Sequence, residues 1–145
     1  MGREFEKIVK EIYDYCLNTK GFQFQYCDKP KIERIFSLEK FVTICNGDGE
    51  ECEFVFDDGK DAPNLYDGSN VLTLYVDDFM AEQDACDKRL RGEGEVSVIT
   101  WETPYLLNKI LTSNVSFVRI YCNYYSIYIG IETLMDCFSD SDLLN

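Results

Sequence analysis

Seven short runs rich in β-branched and aromatic residues recur at 22–26, 41–45, 52–56, 71–76, 96–101, 115–122 and 125–131, most of them fenced by Gly, Pro, Asn or Asp. Apolar runs of this length between turn formers are the sequence form of β-strands. In the first, Phe22, Phe24 and Tyr26 alternate with Gln23 and Gln25, which gives a strand one apolar and one polar face. The runs 41–45 and 52–56 flank Asn46-Gly47-Asp48-Gly49, turn chemistry that predicts a hairpin. A second hairpin is expected from 115–122 and 125–131, turning at Asn123-Tyr124. In it Val118, Ile120 and Cys122 share a face with Ile127, Ile129 and Ile131, and the opposite face carries Phe117, Arg119, Tyr121, Tyr124 and Tyr128.

Helical spacing occupies the intervals. Phe5, Ile8, Val9, Ile12 and Cys16 fall on one face of a helix over about 3–18. Asp28-Lys29-Pro30 breaks the strand before it, and 31–40 holds a short, ambiguous helical pattern. A helix is expected over 79–90, closed by Gly92 and Gly94. Thr103-Pro104 reads as a cap followed by a first-turn proline for a helix over 105–111, and 132–138 forms a last short helix. The 145 residues suit one domain, without repeats or a linker, and their 21 aromatic side chains can offset the entropy of ordering the chain. The fold class expected is α+β: a mainly antiparallel sheet of five to seven strands, with helices packed mostly on one face.

Charge is distributed far from evenly. Fourteen basic residues stand against 27 acidic, a net of −13, and there is no histidine. Residues 46–87 alone hold thirteen acids against Lys60, a net of −12, whereas 1–45 and 88–145 are nearly neutral. Binding to nucleic acid or an anionic membrane draws its free energy from Lys and Arg, so direct binding of that kind is disfavoured. Imidazole chemistry is excluded. The N-terminal Met1-Gly2-Arg3-Glu4-Phe5-Glu6-Lys7 has no apolar signal-peptide core, and Glu6 stands where a myristoylation motif has Ser or Thr. The apolar stretch 115–131 is broken by Arg119, Asn123 and Ser126. Seven cysteines, an odd number with no CxxC pair, fit free thiols in a reducing cytoplasm.

Four patterns invite chemistry. Asn46, Asp48 and Glu50 resemble the start of a calcium loop, but Glu51 stands where glycine must turn the chain and Asp57 where a bidentate Glu belongs. No metal or other cofactor is therefore expected. Asp57-Asp58 and Asp77-Asp78 could form an acid–base pair, yet at strand ends Asp more commonly bonds its own backbone. The thiols lack a histidine base; Cys86, flanked by Asp84, Asp87, Lys88 and Arg89, is the one expected to be exposed, but its neighbours are mixed in sign, and most of the others sit in apolar runs as small core residues. The aromatic face with Arg119 has the residue types favoured at protein–protein contacts.

The acidic middle is the strongest of these signals. Such a field repels nucleic acid and draws in basic surfaces, raising association rates by roughly 10–10³-fold at low salt. The expectation is a non-enzymatic interaction protein that binds and inhibits a basic nucleic-acid-binding protein, nuclease or toxin. Anti-CRISPR, antirestriction and immunity proteins are analogues in charge and size alone. Asp48, Glu50, Glu51, Glu53, Asp57, Asp58, Asp61, Asp77, Asp78 and Glu82 would act as phosphate mimics or salt-bridge partners. Two other readings are an accessory or oligomeric subunit that contacts partners through the aromatic face, homodimers included, and a small metal-dependent hydrolase.

Overall fold

The computed structural model describes residues 2–18, 29–47, 52–56, 70–92, 94–122 and 125–138. Within these residues five helices and six strands follow in the order α1 (Gly2–Asn18), α2 (Lys29–Ile35), β1 (Lys40–Asn46), β2 (Glu53–Phe54), β3 (Val71–Tyr75), α3 (Asp78–Leu90), β4 (Val96–Glu102), α4 (Thr103–Thr112), β5 (Phe117–Cys122), β6 (Tyr125–Gly130) and α5 (Ile131–Phe138). The expected strand at 22–26 lies outside the described residues.

All six strands join one mixed sheet. β1 is its hub. One edge of β1 pairs with β4 along its whole length, from Lys40↔Glu102 to Asn46↔Val96. The other edge is shared between β2, at Cys45↔Phe54 and Asn46↔Glu53, and β3, at Val42↔Tyr75. These pairings are antiparallel, as is β5–β6, while β3–β5 is parallel. Asn70 sets that parallel register: its carbonyl accepts from the Ser116 and Phe117 amides, and its Nδ2 donates to the Asn114 carbonyl. The chain reaches β5 from β3 by way of α3, β4 and α4, a crossover that a parallel pair requires.

The fold is α+β, and α1, α2, α4 and α5 all pack on one face of the sheet. Phe5, Ile8, Val9 and Ile12 of α1 are buried there against Leu72, Leu74, Val118, Ile120, Ile127 and Ile129. Phe36 stacks between Phe41 and Phe138, at ring distances of 5.7 and 5.5 Å, which ties β1 to the last helix. On the opposite face, α3 packs on Val42, Ile44 and Val96.

The short helix expected within 31–40 runs from Lys29 to Ile35, and Pro30 fits its first turn because proline there lacks only an N–H that would have no helical partner. One local expectation needs correction. Thr103 is the first residue of α4 rather than its cap; Glu102 takes the cap position without a side-chain bond, and the Thr103 hydroxyl donates instead to the Leu38 carbonyl.

Candidate functional site

Most of the described acids of the 46–87 segment lie on or beside α3. At the end of β3 the backbone of Asp77 is extended, and its Oδ1 accepts from the Met80 amide at 3.1 Å, which caps the helix. Asp78 adds a negative charge in the first turn, where it complements the helix dipole. Ala81 and Ala85 face inward and are fully buried, so the helix seats close on the sheet. The helix stops at Gly92, whose φ of 77° is left-handed and whose amide donates to the Arg89 carbonyl.

Glu53, Asp77, Asp78 and Glu82 are all exposed, as is Asp87. Asp84 is half-buried and accepts from the Tyr75 hydroxyl at 2.6 Å. Asp48, Glu50, Glu51, Asp57, Asp58 and Asp61 lie outside the described residues, as does most of the calcium-loop-like stretch. Glu53 sits at the far end of β1 from β3, so the described acids are spread over two places, the β2 edge and α3.

The aromatic row occupies the same sheet face as α3. Phe117, Arg119 and Tyr121 are half-buried, Tyr128 is only 7% exposed, and Tyr124 lies outside the described residues. Arg119 donates from Nε to Ser126 Oγ at 3.1 Å and places its guanidinium 4.8 Å from the Tyr121 ring centre. Tyr121 in turn lies 5.9 Å from Tyr75, whose hydroxyl meets Asp84. The aromatic row and the acidic helix, which look unrelated in sequence, are therefore joined through Tyr75.

Two of the buried thiols, Cys45 and Cys122, are poorly suited to nucleophilic work. Burial pushes the Cys45 thiol up from 9.0 to about 12, against the lowering effect of its contact with Thr43. Burial likewise pushes Cys122 up to about 11, with the Glu6 and Asp77 carboxylates adding to it. The nucleophilic thiolate is thus scarce at neutral pH in both. Cys86 is exposed on α3. Among the described residues no group of three or more Cys, Asp or Glu side chains is arranged to hold a metal ion, and no helix is long and apolar enough to cross a membrane.

Two exposed residues of the site were not anticipated from sequence. Phe79 is 66% and Leu90 81% exposed, on the outward side of α3. The signal was the spacing 79, 83, 86, 90, a second stripe on a helix whose inward stripe is built from alanines. No protein-family model, curated protein or solved structure matches the chain.

Proposed function

We propose that this chain is an acidic interaction protein that binds, and by binding inhibits, a basic nucleic-acid-binding protein, nuclease or toxin. The observation that carries the reading is the net −12 confined to 46–87, together with the exposure of Glu53, Asp77, Asp78 and Glu82. Carboxylates held on a folded scaffold can meet Arg and Lys side chains as phosphates do, at less entropic cost than a disordered acidic tail would incur. Asp77 has one oxygen engaged in the helix cap, so its contribution to a partner is smaller than that of Asp78 or Glu82.

A contact through the aromatic row is the second reading, favoured by Arg119. It lies half-buried beside Tyr121 and has no ion pair among the described residues, the arrangement of a side chain that can meet a partner's carboxylate.

The test is capture from host lysate on the immobilised chain, washed at low and high salt, with two fourfold lysine variants. Replacing Glu53, Asp78, Glu82 and Asp87 by Lys is expected to abolish capture of basic proteins. Replacing Glu6, Glu11, Asp14 and Glu33, which are also exposed, is expected to leave most of it. Equal losses from both variants would overturn the location, and capture that resists salt would favour the aromatic row.

A further inference from the structure

The outward side of α3 has the layout of a helix-pairing seam. Phe79, Gln83, Cys86 and Leu90 are separated by four, three and four residues, the spacing of the positions that interlock when two helices pack side by side. All four are exposed, while Ala81, Ala85 and Lys88, on the other side, are buried against the protein. Among the described residues nothing covers the seam, and its two ends are large apolar side chains.

We infer that two copies of this chain associate through α3, the two helices running antiparallel about a twofold axis. The seam is self-complementary in that orientation. With the axis passing midway between Gln83 and Cys86, Phe79 of each copy meets Leu90 of the other, and Gln83 meets Cys86. A twofold contact requires this reciprocity.

The flanking charges choose the antiparallel direction. Glu82 and Arg89 lie on the same flank, seven residues apart, and antiparallel pairing sets Glu82 of each copy beside Arg89 of the other. Arg89 already donates to the Val96 carbonyl from Nε and Nη2, at 3.1 and 2.7 Å, which fixes the side chain and, among the described residues, leaves Nη1 without a partner. The opposite flank brings Met80 against Asp87, with no like charges. Parallel pairing would instead set Glu82 against Asp87 twice and align the helix dipoles unfavourably. A single helix pair buries less than a standard interface, so the dimer is weak and concentration-dependent. In the dimer Glu82 and Asp87 flank the second copy while Glu53, Asp77 and Asp78 stay clear of it; because the dimer is weak, all of them remain open to a partner on the monomer, and the inference does not depend on that partner's being basic.

Sedimentation equilibrium over a range of concentrations tests the inference, read beside cross-linking of Cys86 by a short bis-maleimide. The two Cys86 residues are offset by only ~4.5 Å along the helix axes, from the 1.5 Å rise per residue. The wild-type chain is expected to move from monomer toward dimer mass and to give a cross-linked dimer that Cys86→Ser abolishes. Phe79→Asp with Leu90→Asp should remain monomeric and lose the cross-link, while still taking up a monofunctional maleimide at Cys86. Glu82→Arg should weaken association, and adding Arg89→Glu should restore it. Because each copy carries −13, association should hold or strengthen as salt shortens the Debye length from ~10 to ~3 Å, the reverse of capture of a basic partner. The inference is overturned if the chain stays monomeric with no more cross-link than the double-Asp variant, if that variant still dimerises, or if rising salt dissolves the dimer. The double-Asp variant removes no acid, so loss of dimer with retained capture, or the converse, separates this inference from the proposed function.

Discussion

Asp77 shows how much of an acidic residue's work can be structural. Its carboxylate accepts from the Met80 amide and so completes a helix start that has no other side-chain cap. Asp77→Ala is expected to lower unfolding stability by about 1 kcal/mol, with Asp77→Asn nearly neutral, measured by urea titration. An unchanged midpoint in the alanine variant would remove the cap from the account. The buried thiols make a second residue-scale prediction. Their protons are held more tightly in the folded state than in the unfolded chain, so the stability they contribute is complete below the ordinary thiol value of 9.0. It is then lost as pH rises through about 11 for Cys122 and about 12 for Cys45. Cys45→Ser and Cys122→Ser variants should each show a shallower fall in melting temperature above pH 9.0 than the wild-type chain. Parallel curves would contradict the assignment.

At the scale of elements, α3 is where inward and outward faces matter most. Ala81 and Ala85 are fully buried where the helix meets β1 and β4, so a larger side chain there is expected to push the helix outward. Ala81→Leu is expected to cost about 1–3 kcal/mol through overpacking, whereas Gln83→Leu on the outward side should cost almost nothing. Similar losses at both positions would mean the helix is free to shift. Most elements were readable in advance because their signals are local. The spacing of Phe5, Ile8, Val9 and Ile12 marks α1, and Asn46-Gly47 marks the end of β1, where Gly47 has a φ of 97°. The outward stripe of α3 was harder to see, since Phe79 and Leu90 look like core residues until Ala81 and Ala85 are recognised as the inward face. Thr103 misled for a similar reason: its hydroxyl had a tertiary acceptor at Leu38, invisible to any local rule.

For the molecule as a whole, the α+β class and the placing of most helices on one face follow from alternating strand and helix patterns. The parallel β3–β5 pairing does not, because it is set by Asn70 meeting Asn114 and Ser116, more than forty residues away. The same distance effect joins the acidic helix to the aromatic row through Tyr75, Asp84 and Tyr121. Charge is the property that acts at this scale, since a field from a net −13 reaches farther than any one contact. The most direct measurement is competition between this chain and a nucleic acid for a basic protein captured from the host, followed by fluorescence across a salt series. Displacement of the nucleic acid is predicted, with an affinity that falls steeply as salt rises and is lost on replacing Glu53, Asp78, Glu82 and Asp87 by Lys. Simultaneous binding of chain and nucleic acid, or an affinity unmoved by salt and by those four changes, would contradict it.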